Sequence, residues 1–257
     1  MGPLLAIDCG NTRTKWGVFD AAGELKTHGV SATDALSTLQ PSPAWAGCRR
    51  AVISNVAGAD AKAALDRLLD AMEIRYIQPG QQACGVQNRY RVPAQLGADR
   101  WAALIAAWHR YHGHCVVVSA GTAVTIDALA PDAETGEGVF LGGLILPGLQ
   151  LMQHSIADKA PGVKLGEGVL KDFPDNTADA LYSGGLHAIA GAVRSLTECL
   201  AKRITPHSDA SPRIIIAGGD GEALHALLTQ DAALANHLAI ADNLVLQGLL
   251  ILESEMR

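Results

Sequence analysis

The sequence predicts an α/β protein made of two similar halves. A strand–turn–strand–turn–strand pattern occupies residues 4–30, and a pattern of the same order and size returns at residues 115–143. After each pattern, short apolar runs typical of buried strands alternate with segments whose apolar residues have helical spacing. The chain therefore indicates a divergent internal duplication, with domains expected at residues 1–114 and 115–257.

The first half is organised around its opening stretch, Leu4–Phe19. An apolar run ends at Asp8, small and polar residues follow, and the apolar pattern then resumes, which is typical of two strands joined by a tight turn. Composition and apolar spacing predict six further elements in this half: a strand at Leu25–Val30, a short helix at Thr33–Leu39, a strand at Ala51–Val56, a helix at Ala61–Met72, a strand at Arg75–Ile77 and a helix at Leu96–Tyr111.

The second half begins with a similar apolar strand that ends in a small polar turn. The elements predicted from there are a strand and turn at Cys115–Ala123, strands at Val124–Leu129 and Val139–Gly143, helices at Leu149–Lys159 and Asn176–Ile204, a strand at Arg213–Gly219, and helices at Glu222–Leu228 and Asn243–Glu255. The order of the first three strands matches that of the opening stretch, which is the basis for expecting a duplication.

Composition argues against several classes of function. The net charge is -6 and no run of five basic residues occurs, so nucleic acid is not expected as a partner. No uncharged apolar run reaches the roughly 18 residues of a membrane span, and charged residues interrupt the apolar start too early for a signal peptide. Five scattered cysteines without a CxxC pair indicate a reduced, cytoplasmic protein.

The opening turn brings together chemistry suited to a phosphate group. Gly10 and Asn11 tolerate the backbone angles of a turn. The turn also presents backbone N–H groups, the Thr12 hydroxyl and the Lys15 ammonium near the Asp8 carboxylate, and such a cluster can hold a phosphate together with its metal ion. The alternative is an ordinary hairpin with a polar tip, and spacing alone does not decide between the two.

Five short motifs follow one another along the chain: Asp8-x-Gly10-Asn11-Thr12-x-x-Lys15, Gly97-Ala98-Asp99-Arg100, Ala120-Gly121-Thr122-Ala123, Gly142-Gly143-x-x-x-Pro147-Gly148 and Asn176-Thr177. In order and spacing they resemble those of type III pantothenate kinases, a family of the actin/sugar-kinase/heat-shock ATPase superfamily. Each motif is weak singly, but five in order over essentially the whole chain are specific. The resemblance implies two tandem ribonuclease-H-like domains of the actin-like ATPase type, with a ligand cleft between them.

By this resemblance, the opening turn is the first phosphate loop, in which Asp8 would hold Mg²⁺ directly or through water. The ATP-binding residues that it implies here are Asp8, Cys9, Gly10, Asn11, Thr12, Arg13, Thr14 and Lys15. This residue set suits phosphoryl transfer, which depends on positioning and on neutralised charge. Cys9 itself is interpreted as a small buried filler, because no paired histidine is evident.

The motif Gly97-Ala98-Asp99-Arg100 resembles the family's pantothenate-binding motif, so all four residues are implied to bind the substrate. Asp99 would be the general base for the substrate's primary hydroxyl, and Arg100 would add positive charge near the substrate or the transferred phosphoryl group. From the residues alone, the alternative is a carboxylate favoured by a helix N-terminus beside a solvated arginine. The resemblance also implies substrate contacts at Tyr90, which is otherwise a core residue, and at Thr177, which is otherwise a helix cap.

Gly121 and Thr122 resemble the second phosphate loop, in which Thr122 would contact ATP. The sequence departs from the family just before this loop, because Ser119 stands where the family commonly has an aspartate that binds a monovalent cation. A serine carries no fixed charge, so we expect K⁺ or NH₄⁺ to be held more weakly or by other groups. A further turn, Ala217–Asp220, resembles the adenosine-side turn of the superfamily.

The leading hypothesis is ATP-dependent phosphorylation of pantothenate to 4′-phosphopantothenate, the first step of coenzyme A biosynthesis. The resemblance also implies a homodimer with the substrate site at the subunit interface. Two alternatives stay open: another small-molecule kinase of the superfamily, and a non-enzymatic regulatory relative of the Bvg accessory factor type. Ser119 gives the second some weight, whereas Asp8, Lys15, Asp99 and Arg100 speak against it.

Overall fold

A computed structural model describes residues 2–160, 162–204 and 211–255. Its strands are β1 (Leu4–Cys9), β2 (Arg13–Phe19), β3 (Leu25–Ala32), β4 (Arg50–Asn55), β5 (Glu73–Tyr76), β6 (Gln82–Ala83), β7 (Val86–Asn88), β8 (Cys115–Ala120), β9 (Ala123–Pro131), β10 (Gly138–Pro147), β11 (Arg213–Ala217) and β12 (Leu238–Ile240). Its α-helices are α1 (Ala59–Leu68), α2 (Ala98–Tyr111), α3 (Leu149–Lys159), α4 (Thr177–Ala201), α5 (Gly221–Thr229) and α6 (Leu244–Glu255). Among the helices of these described ranges, none has an apolar stretch long enough for a membrane span.

Contacts divide the chain into two units whose sequences interleave. The first unit is made of Met1–Arg110, Glu137–Val139 and Asn243–Arg257, and the second of Tyr111–Gly136 and Phe140–Asp242. The sequence boundary after residue 114 leaves α6 in the second half, whereas the contacts of α6 place it in the first unit. As a division into domains, 1–114 and 115–257 stays a prediction.

The first unit contains a five-stranded sheet in the order β3-β2-β1-β4-β5. Strands β1, β2 and β3 form an antiparallel meander, while β1, β4 and β5 run parallel to one another. One face packs apolar side chains, including Leu5, Ile7 and Ile53, against Leu65 of α1. Because β1 lies in the centre and ends at Asp8 and Cys9, the first polar turn emerges from the middle of this sheet.

Helix α6 contacts β1, β2 and β4 of the first unit and brings a buried acid to the sheet. Glu253 is only 5% exposed and accepts hydrogen bonds from Arg50 of β4 at 2.7 Å and from Arg75 of β5 at 3.0 Å. A buried carboxylate with two arginine partners is satisfied, whereas removing one partner would leave an uncompensated charge. These contacts explain why α6 belongs to the first unit in spite of its position in the sequence.

The second unit repeats the same strand arrangement, with neighbouring strands in the order β12-β11-β8-β9-β10. Strand β8 takes the place of β1, since it is antiparallel to β9 on one side and parallel to β11 on the other. Its core is formed by aliphatic side chains of these strands and of α4 and α5. The order of these five strands repeats that of the first sheet, which confirms the mixed α/β fold and agrees with the duplication predicted from the sequence.

Short elements differ most from the sequence predictions. The helix expected at Thr33–Leu39 is only a 3₁₀ turn at Asp34–Ser37, and the helix expected to reach Met72 ends at Leu68. Strands β6, β7 and β12 were not predicted, because strands of two or three residues carry too little alternation to be recognised.

Candidate active site

Three side chains form a row across the first sheet at the point where β1 ends. Asp8 lies beside Lys15 of β2 on one side and beside Ser54 of β4 on the other. Residues paired across neighbouring strands point to the same face of a sheet. We call Lys15, Asp8 and Ser54 the charged row. Lys15 and Asp8 belong to the motif predicted as a phosphate loop, whereas Ser54 joins them through the strand register.

The turn that follows Asp8 is closed by a backbone hydrogen bond from the Gly10 N–H to the Arg13 carbonyl, at 3.1 Å. Three residues are exposed at its tip: Asn11, Thr12 and Arg13. Below the tip, the buried Thr14 hydroxyl donates to Cys9 Sγ at 3.4 Å. Cys9 is itself fully buried, which agrees with its interpretation as a filler. The tip therefore presents polar groups to solvent on a buried base.

Thr33, which follows β3, ties this loop down and was missed by the sequence analysis. Its Oγ1 donates to the Gly10 carbonyl at 2.7 Å and lies 3.0 Å from Thr14 Oγ1. Its backbone N–H donates to the Thr12 carbonyl at 3.0 Å. The sequence signal was available, because a polar residue at the end of the third meander strand must lie near the first turn.

Because the resemblance makes this loop a phosphate loop, we expect Thr33→Val to lower kcat/KM for ATP by roughly five- to tenfold, since losing one such hydrogen bond costs on the order of 1 kcal/mol. Valine keeps the branched shape but leaves the Gly10 carbonyl without this donor. Steady-state kinetics at varied ATP would measure the effect, and Thr33→Ser, which keeps the hydroxyl, is the control. Equal kinetic constants for Thr33→Val and the unmodified protein would contradict a role in holding the loop.

Asp99 lies in the first turn of α2, two residues after a glycine that makes room for it. The Gly97 carbonyl accepts the Trp101 N–H at 2.9 Å, and Asp99 Oδ1 accepts the Arg100 N–H at 2.8 Å. A Cβ atom at position 97 would collide with Asp99 Oδ1. Glycine at this position therefore lets the Asp99 carboxylate fold back over the start of the helix.

Arg100 is not the solvated side chain of the alternative interpretation, because it is only 6% exposed. Its Nη1 donates to the Tyr90 hydroxyl at 3.2 Å, and its guanidinium carbon lies 5.8 Å from the centre of the Tyr90 ring. Tyr90 is half-buried rather than part of the closed core. The structure thus brings together Tyr90, Asp99 and Arg100, which the sequence placed in one substrate site.

The loop after β8 in the second unit is held by glycine 148. Gly121 N–H donates to the Ala123 carbonyl at 3.2 Å, which closes the turn. Gly148 N–H donates to the Thr122 carbonyl at 2.9 Å, and a Cβ at position 148 would overlap the backbone of Gly121 and Thr122. The glycine at the end of this motif is therefore required, because only a residue without a Cβ atom lets the backbone at position 148 come this close to the exposed Thr122.

The second sheet has its own row at the position that matches the charged row, but it carries no charge. Ser119 lies beside Thr125 of β9 and beside Ala217 of β11. Thr125 Oγ1 is buried and, among the residues that the structure describes, has no hydrogen-bond partner. The duplicated hairpins therefore differ in chemistry: lysine and aspartate stand in the first, threonine and serine in the second.

Thr177 is exposed as the first residue of α4, and the helix cap is its neighbour Asn176. The Asn176 side chain accepts the Asp179 N–H at 3.0 Å, so the capping alternative for Thr177 is wrong.

The predicted site residues are divided between the units. The first unit holds the loop 8–15, Tyr90 and residues 97–100, and the second holds Thr122 and Thr177.

Comparison with known proteins decides the family. A family model described as type III pantothenate kinase matches residues 4–199, which include all five motifs. The chain belongs to the type III pantothenate kinase family. Relatives agree over nearly the whole length, so the match is not confined to the loops.

Two relatives illustrate the similarity to this family. A type III pantothenate kinase of Methylobacillus flagellatus is 46% identical over 98% of this chain and 98% of its own. One of Nitrosospira multiformis is 44% identical over 99% of this chain and 93% of its own. Each of them extends past residue 199, where the family model stops, so the similarity includes the region of β11 to α6.

Solved structures support the fold but not the reaction. The chain is similar to a conserved putative Baf family transcriptional activator from Campylobacter jejuni, with a TM-score of 0.63, 22% identity and coverage of 98% and 100%. It is also similar to a putative 2-dehydro-3-deoxygalactonokinase from Sinorhizobium meliloti, with a TM-score of 0.59, 16% identity and coverage of 96% of both chains. Both similarities extend over nearly the whole chain and support the α/β fold.

The charged row fits the divalent metal ion that a kinase of this family uses. Burial and, to a smaller extent, the charge of Asp99 raise the pKa of Asp8 to about 7, while the charge of Lys15 acts in the opposite direction. Burial also raises the pKa of Asp99 itself, against its interactions with Arg100. The charge of Asp99 disfavours the ionised form of Asp8, and a bound cation would relieve this effect. Oxygen ligands are also those that Mg²⁺ prefers, often one or two carboxylates with substrate phosphates.

The raised pKa of Asp8 predicts a pH-dependent stability difference for Asp8→Asn. The pKa of an aspartate in the unfolded chain is about 4, below that of folded Asp8. The folded, metal-free protein therefore loses stability as the pH rises from about 4 to about 7, because the unfolded state ionises more readily. Asparagine does not ionise. Relative to the unmodified protein, Asp8→Asn should therefore gain stability as the pH rises through this range. Urea unfolding of both proteins at several pH values tests this, and a constant difference would contradict it.

Proposed function

We propose that this chain transfers the γ-phosphoryl group of ATP to the 4′-hydroxyl of pantothenate, with Asp99 as the general base. The family gives the reaction itself: the chain is a transferase that phosphorylates pantothenate in coenzyme A biosynthesis. The roles of its residues are our proposal. The observation that supports them best is the presence of a second carboxylate, Asp99, close enough for its charge to act on Asp8.

In this mechanism the substrate oxygen attacks the γ-phosphorus, the bond from that phosphorus to the β–γ bridging oxygen breaks, and ADP leaves. Asp99 accepts the hydroxyl proton, which requires its ionised form. Burial raises the pKa of Asp99, and a stronger base accepts a proton more readily. Tyr90 and Arg100, which are hydrogen-bonded to each other, would orient the substrate beside it.

The loop 10–13 would hold the ATP phosphates through its backbone N–H groups and polar tip, and Lys15 would neutralise part of their charge. Asp8 would hold Mg²⁺, which supplies positive charge beside the phosphates when it is bound. Thr122, exposed on the loop after β8, and Thr177, exposed at the start of α4, would add the contacts that the family resemblance implies to ATP and to pantothenate.

The test is an ATP-consumption assay with pantothenate against sugars, polyols and 2-dehydro-3-deoxygalactonate, the sugar acid suggested by the name of the structural neighbour. We expect turnover with pantothenate and none with the others. Turnover with a sugar or sugar acid in place of pantothenate would favour another kinase of the superfamily. No ATP consumption with any compound would favour a regulatory relative.

We propose a weak dependence on monovalent cations, because the row at Ser119 carries no charge. Removing K⁺ and NH₄⁺ should change the rate little, and Ser119→Asp, which restores an acid, should introduce an activation by K⁺. The comparison uses Na⁺ or tetramethylammonium at equal ionic strength. A strong K⁺ dependence of the unmodified protein would contradict the idea that Ser119 abolishes the site.

We also propose a cytoplasmic homodimer. Its five cysteines are all free, as expected in a reducing compartment. Exposed apolar side chains are frequent in the segment from β10 to the loop before α4, and such patches are typical of interfaces. They include Leu144, Ile145, Leu151, Ile156 and Phe173. Light scattering of the purified protein would give its mass, and a monomeric mass would contradict the proposal.

A further inference from the structure

Ser54 is a buried hydroxyl that the fold leaves without a partner. It is 0% exposed, and among the residues that the structure describes, no group hydrogen-bonds to its Oγ atom. Buried polar atoms in proteins are nearly always hydrogen-bonded, so such an exception needs an explanation. Its neighbours on the same face of β1 and β4, Ala6 and Val52, are apolar and equally buried.

The position of Ser54 in the sheet suggests what the hydroxyl serves. It is the member of the charged row next to Asp8, in a parallel pair whose side chains share one face. The opposite face holds the apolar cluster of Ile7, Cys9 and Ile53, so Ser54 does not face that cluster. The hydroxyl therefore lies on the side of the sheet where Asp8 and Lys15 also stand.

Divalent ions in kinase sites usually keep several of their water ligands, and groups around them orient these waters. A serine hydroxyl can accept a hydrogen bond from such a water and donate one to a carboxylate. We propose that Ser54 is a positioning residue of the divalent metal site, which acts by hydrogen bonding to the hydrated ion held at Asp8. This inference rests on the proposed function, since it assumes that Asp8 holds the metal.

The test compares Ser54→Ala with Thr197→Val in the full chain. Thr197 is a buried hydroxyl in α4 that donates to the Val193 carbonyl at 2.8 Å, far along the chain from the charged row. Mn²⁺ serves as the probe, because its free ion can be counted by electron paramagnetic resonance in a titration without nucleotide. Melting temperatures of the metal-free proteins are measured in parallel.

We expect Ser54→Ala to bind Mn²⁺ roughly tenfold more weakly, as is typical when a residue around a metal site is removed. Its metal-free melting temperature should equal or exceed that of the unmodified protein, because the lost hydroxyl had no partner. Thr197→Val should keep the Mn²⁺ affinity and melt at a lower temperature, since it loses a hydrogen bond that is made.

Weaker Mn²⁺ binding by Ser54→Ala alone supports the inference, whatever the melting temperatures. The inference is overturned if Ser54→Ala binds Mn²⁺ as tightly as the unmodified protein. It is also overturned if Ser54→Ala and Thr197→Val lose the same Mn²⁺ affinity, or if the unmodified protein binds no measurable Mn²⁺. An unmodified protein that binds Mn²⁺ but does not phosphorylate pantothenate would instead refute the proposed function, so the two failures are distinguishable.

Discussion

Replacing Asp99 with asparagine should lower the turnover of pantothenate by about two to four orders of magnitude, the range typical of a lost general base. Asparagine keeps the size of the side chain and can still accept the Arg100 N–H that Asp99 Oδ1 accepts. It cannot take the proton of the substrate hydroxyl. We therefore expect kcat to fall while the fold, followed by circular dichroism and melting, stays intact.

The control is Asp60→Asn, because Asp60 is also an acidic residue in the first turn of a helix of the first unit. It is exposed at the start of α1, where its interaction with the helix is worth a few tenths of a kcal/mol. Its turnover should equal that of the unmodified protein. Near-normal turnover of Asp99→Asn would remove Asp99 from its role as the base.

Replacing Gly248 with alanine should destabilise the protein by about 2 to 3 kcal/mol, near the upper end of the typical cost of overpacking. A Cβ atom at this position of α6 would overlap the backbone of Ala102 in α2. The obstacle is a main chain rather than a flexible side chain, so the two helices must separate. This loss exceeds the gain of about 1 kcal/mol in helix propensity that alanine brings.

Urea unfolding, followed by circular dichroism, measures the change in stability. Gly184→Ala is the matched control, because Gly184 is an exposed glycine in α4 with open space where its Cβ would stand. That variant should be more stable by about 0.5 to 1 kcal/mol. Equal midpoints for Gly248→Ala and the unmodified protein would show that α2 and α6 can move apart at little cost.

Sequence reasoning predicted what is local in this fold. The two hairpins were recognised because apolar alternation stops at a cluster of turn residues and then resumes, first after Asp8 and again after Ser119. Helix α2 was predicted from its apolar spacing, with a start two residues before the observed Ala98, and the structure adds that Gly97 makes room for Asp99. Residues of the candidate site that share one short motif were therefore accessible from the sequence.

What the sequence could not supply depends on contacts between distant residues. Ser54 is an ordinary hydroxyl residue whose neighbours are set by the strand register between β1 and β4. The placement of α6 likewise depends on Glu253 meeting Arg50, which lies 203 residues earlier. No periodicity within a window of a few turns carries information of this kind.

The return of α6 to the first unit has a consequence for synthesis on the ribosome. Residues 1–110 emerge early, but the carboxylate that neutralises Arg50 and Arg75 and the glycine that contacts Ala102 are translated only after the whole second unit. Until α6 is translated, the apolar and charged surface of the first unit that α6 covers therefore stays exposed. Domains usually fold in the order in which they emerge; here the earlier unit is completed last.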